Sequence, residues 1–235
     1  MKKPLIVLTG PTAAGKTSLS ISLAKAVNGE IISADSMQVY KGMDIGSAKI
    51  RKEEMQGVTH YLVDVLEPED EFHIVKFQEM AKAAMKKIYA KGKIPILVGG
   101  TGFYIQAVAR DIDFTQAEQE TSYREELERL AKEKGADYLH EELRKVDPKS
   151  AQNIHANNVK RVIRALEFYH QNKTPISEHN EEQKQQVSPY ELAYFVLSAP
   201  RNILYERIDK RVDKMLEEGL LEEVRTLKER GCHRG

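Results

Sequence analysis

The stretch Gly10-Pro-Thr-Ala-Ala-Gly-Lys-Thr17 has the residue types and spacing of a phosphate-binding loop. Gly10 and Gly15 let the backbone curl so that the loop of Gly10, Pro11, Thr12, Ala13, Ala14 and Gly15 turns its N–H groups, which Pro11 alone lacks, toward phosphate oxygens. Lys16 adds a point charge, and the Thr17 hydroxyl is a ligand for Mg²⁺. Such a loop implies a di- or triphosphate without selecting ATP. Asp35 is a second chemical group, with two readings: a general base, or a carboxylate that holds Mg²⁺ through water. Ser36 and Gln38 suit a polar substrate edge, since an amide side chain can form two hydrogen bonds with adenine; local loop capping competes with that reading. Gly99-Gly-Thr-Gly102 lacks the lysine of a phosphate loop, so Thr101 is either a helix cap or a site residue. Two basic groups follow. Lys160, Arg161 and Arg164 form one, and Arg201, Arg207, Lys210, Arg211 and Lys214 the other, partly neutralised by Glu206, Asp209 and Asp213. Each is either a phosphate-binding surface or a solvated helix face. None of the seven histidines has metal-site spacing.

These residues need elements to position them. Leu5–Thr9 reads as a buried strand, and Leu19, Leu23, Ala24 and Val27 mark the helix after the loop. Gly29–Ala34 reads as a second strand, which places Asp35 at its carboxyl end, where ligands of open α/β sheets bind. His60–Asp64 is a short strand. Ile74, Phe77, Met80, Ala81, Ala84 and Ile88 give a helix its period, and Gly92 stops it. Ile94–Val98 is a further strand, with a helix over Phe103–Ala109. From Asp111 to Arg144 the chain is charged, acidic at its start and helical by pattern. Asp147-Pro148 opens another helix, and Asn157 or Asn158 restarts one carrying Val159, Val162, Ile163, Leu166 and Phe168. Pro175 through Ser188 reads as a polar linker, Leu192–Leu197 as a returning core strand, and Arg201–Met215 as a long helix, with Gly219 a break before another. The fold class is α/β: a P-loop NTPase-like parallel sheet flanked by helices, with a helical insertion domain. The divisions are a core over 1–112, an insertion over 113–189 standing over the site, and a return to the core over 190–235.

With 235 residues, 31% charged and 41% hydrophobic, the chain has enough sequence for a full core. Its formal net charge of zero announces no nucleic-acid partner in bulk, so such a partner needs a local basic surface. The single cysteine, Cys232, excludes an internal disulfide framework and a cysteine metal cluster. No apolar leader or membrane-spanning run is visible, and the expected location is the cytoplasm.

Taken together, several separate pieces resemble the tRNA dimethylallyltransferases, which prenylate adenosine next to the anticodon. They are Gly10–Thr17, Ser33–Tyr40, Asp44-Ile-Gly-Ser-Ala-Lys49, Val98–Tyr104, Asp147 through His155 to Arg161–Glu167, and Leu204–Leu220. The resemblance covers essentially the whole chain, and Asp35-Ser-Met-Gln38 beside the loop is far more specific than the loop. It implies Mg²⁺-dependent transfer of a dimethylallyl group from dimethylallyl diphosphate to N6 of adenosine 37. The implied roles are these: Asp35 is the base; Lys16, the loop N–H groups, Thr17 and Mg²⁺ stabilise the leaving diphosphate; and one of Arg207 and Arg211 reaches that diphosphate. Asp35, Ser36, Met37, Gln38 and Thr101 would meet the tRNA in the channel, and Arg124, Lys160, Arg161, Val162, Ile163 and Arg164 would contact it from the insertion. Ser47 stands where the family commonly has Thr. Members usually run on beyond the position of Gly235, so the resemblance implies a shortened C-terminal part that lacks a segment contacting the anticodon stem-loop. A monomer without membrane contact is expected. Two other readings compete: an ATP-dependent kinase of a nucleotide or small metabolite, and a non-catalytic nucleotide-dependent RNA-binding module. Donor choice separates the prenyltransferase from the kinase, and the RNA-binding reading predicts that Asp35→Ala changes RNA binding or switching with no chemistry to lose.

Overall fold

The computed structural model describes residues 2–112, 114, 121–185 and 187–232. The chain divides into two compact units, 1–111 with 188–235, and 112–187. Part of the acidic start of the charged stretch, at 113 and 115–120, lies outside the described residues.

The first unit is built on a parallel sheet of five strands in the order β3-β2-β4-β1-β5. The strands are β1 (Pro4–Thr9), β2 (Gly29–Ser33), β3 (His60–Tyr61), β4 (Ile94–Gly99) and β5 (Glu191–Val196). β2, β4 and β1 are neighbours, so the loops at their carboxyl ends share one rim. Short apolar runs form these strands because both faces of a parallel sheet are covered. On one face Ile32 and Leu97 pack with Phe77, Ala81, Met85 and Ile88 of α2 (Ile74–Ala90) and Ile105 and Val108 of α3 (Gly102–Ala109). On the other, Ile31 and Ile96 meet Ile21 and Ala24 of α1 (Lys16–Ala26). Adjacent residues of β2 and β4 thus point to opposite faces, as strand pleating requires. Each fully buried Leu, Ile or Phe contributes about 1.5–3 kcal/mol.

Two elements of this unit differ from the sequence reading. β3 has only two residues, because Leu62 and Asp64 adopt left-handed backbone, with φ of 62° and 55°. The chain turns there, and the Asp64 and Val65 N–H groups go to the carbonyls of Gln38 and Val39. β5 pairs with β1 alone and forms the sheet edge; Tyr194, Phe195 and Val196 are exposed rather than core residues. After it come α9 (Arg201–Glu217) and α10 (Leu220–Glu229), separated at Gly219.

The second unit contains α4 (Thr121–Lys134), α5 (Ala136–Val146), α6 (Pro148–Asn153), α7 (Val159–Asn172) and α8 (Ile176–Gln185). Leu127, Leu139, Leu143, Val162, Ile163 and Leu166 form its core. The expected linker after Pro175 is in fact mostly helix, α8. Its start is held by a tertiary contact that local sequence does not display. Asp147, fully buried, accepts hydrogen bonds from the N–H and Oγ–H of both Ser150, in α6, and Ser177, in α8. Burial opposes its ionisation, but those four hydrogen bonds outweigh it and hold its pKa below the ordinary value. Among the described residues no helix is long and apolar enough to cross a membrane.

Candidate active site

β1 ends at Thr9 and α1 begins at Lys16, so residues 10–15 form the loop between a strand end and a helix start. Gly10 has φ +150°, and a Cβ there would lie 2.5 Å from the Leu197 carbonyl oxygen. The Leu197 N–H in turn donates to the Thr9 oxygen at 2.7 Å, so the loop starts against the backbone that follows β5. No side chain caps α1 and no acid stands in its first turn, which leaves its electropositive end open to an anion. Lys16 Nζ donates to the carbonyls of Gly10 and Pro11, both at 2.8 Å. Thr17 is exposed, and among the described residues its hydroxyl has no hydrogen bond.

Asp35 follows β2 and is half-buried. Its Oδ1 accepts the N–H groups of Met37 at 2.9 Å and Gln38 at 3.3 Å, an Asx turn that fixes the carboxylate. Among the described residues Oδ2 receives no hydrogen bond. Burial lowers the Lys16 pKa; the Asp35 charge opposes that shift and the Arg211 charge adds to it. Asp35 and Arg211 therefore each lie within electrostatic reach of Lys16. Arg207, one turn before Arg211 on α9, donates from Nη1 to the Ala13 carbonyl at 3.3 Å. Both arginines belong to the loop's surroundings. In contrast, Lys210 pairs with Glu206 and Lys214 with Glu218 along the helix, and Arg201 is exposed at its start.

β4 brings in Thr101. A Cβ on Gly99 would lie 2.2 Å from the Ala34 carbonyl oxygen, so glycine is what allows the ends of β4 and β2 to approach this closely. Thr101 occupies the N-cap position of α3 but makes no side-chain cap hydrogen bond. Its hydroxyl is thus not used in the way the cap reading requires. Tyr104, one turn into α3, is buried and stacked on Phe77 with centroids 4.4 Å apart. Burial, then the Tyr40 and Asp35 charges, push its phenol pKa up, so it stays neutral beside Asp35. Of the remaining residues after β2, Ser36 is half-buried and Met37 exposed. Gln38 Nε2 donates to the carbonyls of Ser47 and Ala48, both at 3.3 Å, and Ser33 Oγ donates to Gln38 Oε1 at 3.4 Å.

In the second unit, Lys160, Arg161 and Arg164 are exposed on α7. Val162 and Ile163, between them, are 0% and 2% exposed and belong to the unit's core. Helical geometry turns their side chains inward, so on this segment Lys160, Arg161 and Arg164 are the side chains that face solvent. Arg124 on α4 pairs with Glu128 and lies 3.9 Å from Glu167. Burial raises the Glu167 pKa, against the charges of Arg124 and Arg164. No group of three or more His, Cys, Asp or Glu able to hold a metal exists among the described residues.

The family model for IPP transferase matches residues 38–235. The chain belongs to the IPP transferase family. It is 62% identical over 232 residues to the tRNA dimethylallyltransferase of Lachnoclostridium phytofermentans, covering 99% of this chain and 74% of that protein. It is 53% identical over 231 residues to the tRNA dimethylallyltransferase of Geobacillus thermodenitrificans, covering 98% and 73%. Among solved structures, the tRNA isopentenylpyrophosphate transferase of Bacillus halodurans aligns with TM-score 0.69 and 45% identity, over 99% of this chain and 72% of that one. A eukaryotic dimethylallyltransferase acting on tRNA aligns with TM-score 0.85 and 34% identity, over 97% and 56%.

Within this member of the IPP transferase family, three residues near the site were not singled out for it by sequence reasoning. Tyr104 is one. Lys49, 8% exposed, donates to the Tyr40 carbonyl and to the carboxylates of Asp44 and Asp64. Its signal was visible as a lysine five residues after an acid in a loop with two glycines. Glu223, on α10, accepts the N–H groups of Asp44, Ile45 and Gly46, and no local pattern marks it.

Proposed function

We propose that this chain transfers a dimethylallyl group from dimethylallyl diphosphate to N6 of adenosine 37 in tRNA, releasing diphosphate. The observation that carries the reading is the placing of Asp35 and Arg211 within electrostatic reach of Lys16 in the phosphate-binding loop, in a chain 62% identical to a tRNA dimethylallyltransferase. In the step, a bond forms between N6 and the allylic carbon as the bond from that carbon to the diphosphate oxygen breaks. The N6 proton goes to Asp35, whose Oδ2 is spare while Oδ1 is held by the turn. The diphosphate leaves into the loop N–H groups, the uncapped start of α1, Lys16, and Arg207 or Arg211. Binding there requires Lys16 to exchange the Gly10 and Pro11 carbonyls for phosphate oxygens.

The oxygens at hand suit Mg²⁺, which takes few protein ligands beside phosphate oxygens and water. Thr17 would hold it, with Asp35 kept as the base and not as a ligand through water; when bound, it would neutralise charge on the diphosphate. Thr101 and Tyr104 would line the path of the base, with Ser36, Met37 and Gln38 on its polar edge. Lys160, Arg161, Arg164 and Arg124 would meet RNA phosphates. We further assign the protein to the cytoplasm as a monomer.

The test is donor choice. Labelled dimethylallyl diphosphate is offered with an adenosine-37 anticodon stem-loop, beside labelled ATP. Label on RNA from the prenyl donor, competed by inorganic diphosphate and not dependent on ATP, is the expected result. Phosphoryl transfer from ATP with no prenylated RNA would overturn the reading in favour of the kinase.

A further inference from the structure

We propose that Glu223 is a positioning residue that fixes how Gln38 meets the purine. The inference rests on the reading above, in which Gln38 borders the target base.

Glu223 Oε2 accepts the N–H groups of Asp44 and Ile45, each at 2.7 Å, and Oε1 accepts that of Gly46 at 2.9 Å. Three successive amides converge on one carboxylate, the geometry of an anion nest with charge-assisted hydrogen bonds. The accepting carboxylate comes from α10, 179 residues from Asp44. Gly46 leaves room for it: a Cβ there would lie 3.1 Å from Leu220 Cδ1 and 3.4 Å from Glu223 Oε1.

The clamped turn leads directly into the carbonyls that hold Gln38. Ser47 and Ala48 oxygens accept the Gln38 Nε2 hydrogens. Ala48 has φ 46°, a left-handed conformation that L residues adopt at a cost, so this turn needs outside support. Lys49 Nζ supplies some of it through Tyr40, Asp44 and Asp64. Glu223 holds the amides on the turn's other side.

The consequence is chemical. With both Nε2 hydrogens directed at carbonyls, Gln38 can offer a substrate only Oε1, an acceptor. An acceptor suits the exocyclic N–H of adenine and opposes the O6 of guanine. The two-bond adenine contact expected from the sequence thus becomes a one-bond contact, whose polarity depends on the turn. If the turn loosens, the amide can rotate and present its donor, and selection against guanine weakens.

The experiment compares wild type with Glu223→Ala, the near-isosteric Glu223→Gln, Gln38→Ala, and Gln38→Ala with Glu223→Ala. It reads kcat, KM for each substrate, competition by a guanosine-37 stem-loop, and amide exchange at residues 44–46. Glu223→Ala is expected to raise KM for the adenosine-37 stem-loop about ten-fold, with KM for the diphosphate donor changed by less than about two-fold. The guanosine-37 stem-loop should compete better, exchange at 44–46 should rise, and Glu223→Gln should fall between. Adding Glu223→Ala to Gln38→Ala should change purine preference no further. Faster exchange with unaltered purine preference would overturn the proposal, as would additive effects in the double variant. If wild type transfers no prenyl label, the functional reading fails separately. Relative binding of the adenosine-37 and guanosine-37 stem-loops then decides the role of Glu223, and an unchanged ratio in Glu223→Ala overturns it.

Discussion

Glu30 and Asp35 lie five residues apart around one strand, yet their surroundings differ completely. Glu30, near the start of β2, is 1% exposed. Lys93 donates to it at 2.8 Å, Lys91 at 3.0 Å and the Tyr61 hydroxyl at 2.8 Å. Burial opposes its charge, and the hydrogen bonds from Lys93, Lys91 and Tyr61, with the Lys91 charge, outweigh it and bring the pKa down to about 2. Asp35, past the other end of the strand, is half-buried and among the described residues receives only two backbone N–H groups, both on Oδ1. The nearby ammonium of Lys16 is committed to loop carbonyls instead. The difference shows what separates a structural carboxylate from a chemical one in this sheet. At the strand starts, the lysines around the α2–β4 turn saturate the acid. At the strand ends, loops of small residues leave an acid with an unclaimed oxygen next to a phosphate-binding backbone.

Substitutions at the two ends should therefore separate activity from stability. Lys16→Ala should lower kcat by about 10²–10³-fold, the loss of one preorganised charge on the leaving group, with little change in the thermal midpoint. Glu30→Gln should do the reverse, costing about 2 kcal/mol in denaturant unfolding while kcat at low temperature stays at the wild-type value. The sign with pH follows from the depressed pKa. The contribution of Glu30 is complete above its ordinary value of 4.5 and is lost as pH falls toward about 2. The stability difference between wild type and Glu30→Gln should accordingly shrink over that window. The same contrast recurs on α7. Val162→Ala, in the core, should cost about 2 kcal/mol of stability in urea titration. Thr101→Val should slow transfer about ten-fold without unfolding the protein, because its hydroxyl supports no cap. The smallest effect is expected for exposed Arg161→Ala, which should leave stability alone and reduce the salt slope of stem-loop binding by about one.

Much of the sheet was legible because parallel strands covered on both faces are apolar runs, as in Leu5–Thr9 and Ile94–Val98. The loop, Asp35 and Thr101 were legible because spacing and strand ends carry chemical meaning. What was hidden depends on contacts between distant residues. α8 is polar over most of its length, and its start is fixed by Asp147 from thirty residues away. β3 is cut short by left-handed backbone at Leu62, an apolar residue that gives no warning. Val162 and Ile163 sit between cations in sequence but on the opposite side of the helix. Glu223 is one of several acids on α10 until the loop it clamps is seen.

The most direct test of the contrast between the two carboxylates is the single-turnover rate of prenyl transfer to an adenosine-37 stem-loop by Asp35→Asn. Asparagine keeps the Oδ1 acceptor for Met37 and Gln38 and removes the base, so the turn survives while the proton acceptor is lost. The rate should fall about 10²–10⁴-fold, with diphosphate affinity and unfolding midpoint retained. A variant that transfers at the wild-type rate would show that Asp35 does not take the proton, and would contradict the account.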